Sequence, residues 1–146
     1  MIIRRAEVSD LDQVVPLFDA YRQFYGHPPD AAGSRTFLHD RLSHEDTVIF
    51  LAMLDERAAG FTHLFPAFSS VACRRLWLLN DLYVSPAARR SGVARALLDR
   101  ARDHAVETGA CGIELSTAHT NVDAQRLYES LGYRQDEVFR HYELQI

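Results

Sequence analysis

"YVSPAARRSGVARALLDRA", residues 83–101, decides how the rest of the chain is read. Val84 closes an apolar run, Pro86 and the adjacent Arg89 and Arg90 fill a connection, and Ser91, Gly92, Val93 and Ala94 open a helix. A helix entered directly from a strand points unpaired N–H groups, and about half a positive charge, beyond the strand end. Glycine there admits a ligand to the backbone, small neighbours keep side chains clear, and arginine adds a fixed charge with forked donors. The stretch reads either as a cradle for a phosphate or pyrophosphate, or as a helix that begins with glycine because the turn needs it, beside solvated arginines. Two other phosphate loops fall at once: there is no Gly-Lys-Ser/Thr after four spacers and no set of three spaced glycines.

Working outward, "RLWLLNDLYV" (75–84) is a long strand, interrupted by Asn80 and Asp81, which mark either a bulge or a polar pair on the solvent face. The helix, 92–108, buries Ala94, Leu97, Leu98, Ala101 and Ala105 and stops at Gly109, and "CGIELST" (111–117) is a further strand. Strand, helix and strand with short joins predict a βαβ unit whose strands are parallel and adjacent or nearly so. Upstream, 2–6 is a short strand, and Ser9 with Asp12 caps a helix. Its apolar face is Leu11, Val14, Val15, Phe18, Tyr21 and Tyr25, with Pro16 kinking it or delaying its start. "GHPPDAAGS" (26–34) is a loop, 36–43 a shorter helix, "TVIFLAML" (47–54) a buried strand and 59–65 its hairpin partner. Downstream, 121–132 is the last helix and the alternating "VFRHYELQI" (138–146) closes as a strand. One mixed α/β domain over 1–146 accommodates all of this.

Bulk properties narrow the function. A chain of 146 residues buries about two-thirds of its unfolded surface without staples. A net charge of −4 opposes a general nucleic-acid binder. No apolar run nears the ~18 residues of a membrane span, and the N-terminus lacks a signal-peptide apolar region, so the expectation is a cytoplasmic protein with no membrane partner. Cys73 and Cys111, without CxxC spacing, read as reduced thiols filling the core. Seven histidines include no HxH or HExxH, so no metal is expected. His63, mid-strand, reads as a packing residue or as a lining of the acceptor pocket.

Arg89-x-x-Gly92-x-Ala94, between "NDLYVSP" and "RALLDRA", resembles the acyl-CoA-binding segment of the GNAT superfamily of N-acetyltransferases. "TNVDAQRLYESLGYR" resembles that family's later Asn…Ala…Leu-Tyr…Gly-Tyr/Phe segment, and the element order matches over essentially the whole chain. The resemblance implies the GNAT fold: a mostly antiparallel sheet with a splayed parallel pair (75–84 and 111–117), flanked by about four helices. It implies acetyl-CoA as co-substrate, the pantetheine arm pairing with backbone of Leu82, Tyr83 and Val84, and the pyrophosphate on Arg90, Ser91, Gly92, Val93, Ala94 and Arg95, with Arg89 as the basic position and Asn121 touching the arm. It implies Val84 N–H as donor to the thioester carbonyl and Tyr128 as the acid for the leaving thiolate. The alternative for Tyr128 is an ordinary core tyrosine, and for Asn121 an N-cap.

The base is where the chain departs from its pattern. Diamine acetyltransferases carry a glutamate at the position of Asn80, which cannot accept a proton, whereas "NDLYV" is similar to the histone and polyamine branch. Asp81, or a water held by Asn80, then takes the amine's proton. Phe24 and Tyr25, at the end of the first helix, either belong to its buried face or line the acceptor site and stack on an alkylammonium. The expected acceptor is a primary amine, whether polyamine, amino acid, lysine-like or peptidyl. Relatives commonly pair through their C-terminal strands, so the resemblance implies a homodimer. Two readings compete with the enzyme: an acyl-CoA sensor without turnover, and an interaction domain of the same fold.

Overall fold

The run Val48–Leu54 carries no polar side chain because it is covered on both faces. In the computed structural model, which describes residues 1–146, it is the second of five strands in one sheet, ordered β1-β2-β3-β4-β5. The strands are β1 (Ile2–Arg5), β2 (Val48–Leu54), β3 (Arg57–Ser69), β4 (Arg74–Val84) and β5 (Ile113–Glu114). Neighbours are antiparallel except β4 and β5, which are parallel as the βαβ reading expects. The helices are α1 (Leu11–Phe24), α2 (Ala31–Ser43), α3 (Val93–Glu107) and α4 (Val122–Ser130).

The chain divides into two units, Met1–Leu115 and Ser116–Ile146. In the first, alternate residues of β2 face opposite layers. Ile49, Leu51 and Met53 pack with Val14, Val15, Leu17 and Phe18 of α1, Leu38 of α2 and Phe61 of β3. On the other face Phe50 meets the His104 ring of α3 at 5.5 Å and carries the Arg100 guanidinium 4.6 Å above its own ring. The second unit holds α4, capped by Asn121, whose side chain accepts from the Ala124 amide at 3.4 Å.

Several boundaries differ from expectation. The first helix is preceded by a 3-10 turn, Val8–Asp10, boxed by Glu7 and Asp10 rather than by Ser9 and Asp12: the Glu7 amide donates to Asp10 at 2.8 Å. α1 runs through Pro16. α2 begins at Ala31, inside the expected loop, because Asp30 accepts from the Gly33 amide at 2.9 Å and caps it. A Cβ on Gly33 would lie 2.1 Å from Asp30 Oδ2, so the glycine is part of the cap rather than a loop signal.

β5 is two residues long, and 138–146 forms no strand at all. Alternation alone does not make a strand, because the ladder's hydrogen bonds must come from a neighbour. Val138, Phe139, Tyr142, Leu144 and Ile146 are instead exposed. Cys73 and Cys111 are free but exposed, not core fillers, since they sit in the β3–β4 turn and in the join before β5.

Candidate active site

The connection after β4 is built to leave a helix entrance bare. A short 3-10 turn, Pro86–Ala88, buries Ala88, after which Arg90 takes φ 61° and Gly92 φ 83°. Left-handed backbone at a non-glycine residue costs about 1 kcal/mol or more, and such strain gathers where backbone groups must be aimed. Nothing lies within 4 Å of a Cβ added at Gly92, so its conformation, not lack of room, demands glycine. α3 starts at Val93 with no side-chain cap, which leaves its first-turn donors to an outside acceptor. Ser91 turns its hydroxyl back to the Ala88 carbonyl. Arg89 folds onto the strand end: Nε donates to the Val84 carbonyl at 3.1 Å and the guanidinium lies 5.9 Å from the Tyr83 ring centroid.

Beside this entrance runs an open strand edge. β5 pairs with β4 at Trp77 and Leu78, and no strand of the sheet continues that ladder along 79–84. Leu82, Tyr83 and Val84, half-buried, therefore have no β5 residue opposite them, and a strand edge of this kind can pair with an extended ligand. On the opposite side β3 comes close, and a Cβ on Gly60 would lie 2.7 Å from the Tyr83 carbonyl oxygen and 3.2 Å from Val93 Cγ1. Gly60 opposes Val84 in register and thus lets strand end and helix entrance sit together. Sequence reasoning passed over it, although an isolated glycine in a strand is a known sign of close backbone approach.

Asn80 is the extra residue of a bulge: His63 pairs with Asp81, and Leu64 pairs with Leu79. Asp81 then turns inward and is 4% exposed. Its Oδ2 lies 2.9 Å from Nδ1 of His63, which is wholly buried, while Oδ1 accepts from the Asn80 amide at 3.0 Å. His63 Nε2 contacts the Thr47 hydroxyl, and that hydroxyl donates to the Leu64 carbonyl at 3.0 Å. His63 is sealed from solvent and links Asp81 to Thr47 beneath the bulge.

Aromatic rings join the acceptor candidates to the loop. Phe24 (62% exposed) and Tyr25 (49% exposed) have ring centroids 5.3 Å apart, and Tyr25 lies 5.0 Å from Tyr21. Tyr21 in turn lies 6.4 Å from Tyr83, the ring under Arg89, and its hydroxyl donates to the Asn80 carbonyl at 3.4 Å. The segment beyond α1 is pinned by Asp19, buried inside that helix. It accepts from the Asp30 amide at 3.0 Å, the Ser34 hydroxyl at 3.1 Å, and Arg22 and Gln23 at 3.2 Å. These donors, the Asp30 amide foremost, hold its carboxyl below the usual carboxylate range.

In the second unit Tyr128 is half-buried on α4, its ring 5.8 Å from that of Tyr133, whose amide donates to the Tyr128 carbonyl at 3.1 Å. Far from the loop, near the start of β4, Arg5, Thr47, Arg75, Trp77 and His104 line a cavity of about 440 Å³. Burial, then the charges of Arg100, Arg5 and Arg75, push the His104 imidazole below its ordinary value. No group of three or more His, Cys, Asp or Glu side chains is arranged to hold a metal ion, and no helix is long and apolar enough to cross a membrane.

Known proteins resemble this chain in sequence and fold. The family described as "Acetyltransferase (GNAT) family" matches residues 14–133. The uncharacterized N-acetyltransferase YhfO of Bacillus subtilis is 43% identical over 146 residues, spanning 100% of this chain and 98% of its own length. A probable acetyltransferase of Haemophilus influenzae is 30% identical over 149 residues, spanning 100% of this chain and 99% of its own length. The crystal structure of a probable acetyltransferase superposes with a TM-score of 0.96 at 44% identity, covering 100% of this chain and 98% of that one.

Proposed function

The chain belongs to the GNAT acetyltransferase family, and from that premise we propose that it moves the acetyl group of acetyl-CoA to a primary amine by direct attack in a ternary complex. One observation carries the reading. The open β4 edge at 82–84 runs directly into a helix entrance with no side-chain cap, shaped by left-handed Arg90 and Gly92. An extended pantetheine arm suits the first and a diphosphate the second.

Within that reading each residue has a task. Backbone donors of 90–95 take the pyrophosphate, with Arg89 supplying fixed charge. Val84 N–H polarises the thioester carbonyl, where negative charge develops as the tetrahedral intermediate forms. An alkylammonium with a pKa near ~10.4 is almost wholly protonated at pH 7, so a proton must leave before attack. Asp81, on β4 with Asn80 beside it at the bulge, takes that role. Asn121 contacts the arm, and Tyr128 returns a proton to the departing thiolate, both on the strength of their match to the family's second segment. The exposed Phe24 and Tyr25 favour an acceptor with an alkylammonium group, which aromatic faces attract. The exposed apolar side chains of 138–146 support a homodimer, and a single-chain mass by sedimentation at micromolar concentration would remove it.

The test is a thiol-release screen with acetyl-CoA against polyamines, amino acids, lysine-like amines and basic peptides. Transfer to at least one class is expected, and no transfer to any at millimolar acetyl-CoA overturns the reading. In the same assay Tyr128→Phe is expected to lower turnover about tenfold or more while acetyl-CoA still binds by calorimetry. Unchanged turnover takes Tyr128 out of the mechanism.

A further inference from the structure

The polar row beneath the bulge crosses three parts of the sheet: Asp81 on β4, His63 on β3 and Thr47 just before β2. Burying such a row is expensive unless every donor meets an acceptor. The bonds leave little freedom. The Thr47 hydroxyl has one proton and gives it to the Leu64 carbonyl at 3.0 Å. While the Thr47 hydroxyl donates to Leu64, its oxygen is an acceptor towards His63, and that arrangement calls for a proton on Nε2. If that is the ring's only proton, the Nδ1 lone pair faces the Asp81 carboxylate across 2.9 Å. One more proton between Nδ1 and Oδ2 removes the repulsion and satisfies every bond in the row.

We propose that His63 is a positioning residue for acetyl transfer, and that the buried pair of His63 and Asp81, terminated by Thr47, is the unit that takes the amine's proton. This rests on the acetyltransferase reading above. An N–H bond of the ammonium breaks, its electron pair stays on the amine nitrogen, and the proton comes to rest between Asp81 Oδ2 and His63 Nδ1. The net charge of the pair rises from −1 to 0 while that of the substrate falls by one. Solvent takes the proton back before the next turnover. The carboxylate is the way in, because the Asp81 side chain is 5% exposed whereas that of His63 is sealed.

Thr47 sets how strongly the pair holds its proton. By favouring the Nε2–H tautomer it opposes the arrangement in which a neutral ring donates from Nδ1 to an ionised Asp81, since the Thr47 hydroxyl would then have to leave the Leu64 carbonyl. The ring's other neighbours are apolar, Phe18 from α1 and Phe65 within β3, and Tyr21 of α1 reaches the row through the Asn80 carbonyl. Asp81 is the charged group among them.

The experiment combines pH–rate profiles with imidazole ¹⁵N spectra of the free protein. His63→Asn keeps an amide donor facing Asp81 but cannot exchange a proton. It is expected to lower kcat about tenfold, to move the acidic limb of the profile at least one pH unit to lower pH, and to leave KM for acetyl-CoA within about twofold. Thr47→Val frees the tautomer and is expected to move the limb the same way by less, whereas Thr47→Ser restores it; this pair carries the test where His63→Asn fails to fold. In the spectra Nε2 is expected to stay protonated while Nδ1 titrates. An unmoved limb in both His63→Asn and Thr47→Val overturns the proposal, and so does an Nδ1–H tautomer that persists across the range. The spectra need no turnover, so a protein that acetylates no amine in the screen would sink the enzyme reading while the ring's proton could still be located.

Discussion

The helix entrance after β4 and the polar row beneath its bulge lie within a few residues of each other, yet they are specified in opposite ways. The entrance is local: a proline turn, a left-handed arginine and a left-handed glycine follow in order, and consecutive residues dictate the result. The row is assembled from 47, 63 and 81, which meet only through the register of three strands, and an extra residue at Asn80 sets which side chain of β4 turns inward. The proposed grip of the entrance is by backbone, which tolerates side-chain change where there is space. The row works through side chains alone and tolerates almost none. On the proposed reading, substrate binding and proton handling are thus separated along one strand.

The sharpest way to break this division is Gly92→Asp. An added Cβ meets nothing within 4 Å, so the cost to the fold is the left-handed strain of φ 83°, about 1–2 kcal/mol. The carboxylate would occupy the helix entrance in place of the phosphate and repel it. KM for acetyl-CoA is expected to rise on the order of a hundredfold, from lost charge-assisted bonds and added repulsion, with the acidic limb of the rate profile unmoved. A shifted limb would show that entrance and row are one device, and an unchanged KM that the entrance holds no anion.

Gly60→Val sharpens the comparison from the place where the end of β4 meets the helix entrance. The new Cβ would sit 2.7 Å from the Tyr83 carbonyl and 3.2 Å from Val93, one element on each side of the entrance. Overpacking of this kind costs about 1–3 kcal/mol. Denaturant unfolding is expected to show a loss near 2 kcal/mol, together with weaker acetyl-CoA binding. Loss of stability with full binding would mean that strand end and helix entrance need not be held in register.

The same contrast explains what could be read from the sequence. The strand-turn-helix at 83–101, the apolar β2 and the parallel partner after α3 were legible because each follows from neighbours in the chain. The bulge was legible as an alternative, since a polar pair inside an apolar run has few other causes. His63 was not: a histidine in a strand shows its partner only once β3 and β4 are aligned. The start of α2 was misread because Gly33, ordinarily a loop signal, serves the Asp30 cap. The closing strand was misread because its alternating pattern says nothing of whether a neighbour is present, and the exposed cysteines because burial preference is only an average. For Asn121 and Tyr128 the sequence supplied a family match, and their own geometry adds a helix cap and a half-buried ring.

Asp19→Asn has the smallest expected effect, because it alters neither region directly but loosens the segment that carries Tyr25 towards Tyr21. Oδ1 collects the Asp30 amide, the Ser34 hydroxyl and Arg22, whereas Oδ2 meets Gln23. An asparagine can keep its oxygen towards the first three, and Gln23 can turn its amide to suit the new donor. What is lost is mainly the charge on those bonds, about 1 kcal/mol, or a few degrees in Tm for a chain of this size. The pH dependence gives the sign. The folded-state value lies below the ordinary carboxylate range, so Asp19 contributes its stability above the unfolded value of about 3.9 and loses it as pH falls towards the folded value. Wild type and variant are therefore expected to differ at pH 7 and to converge on acidification through pH 4. A difference that persists unchanged at pH 3 would mean that shape, not charge, holds this segment, and the path from α1 to β4 would then be as purely steric as the approach of Gly60 to Tyr83.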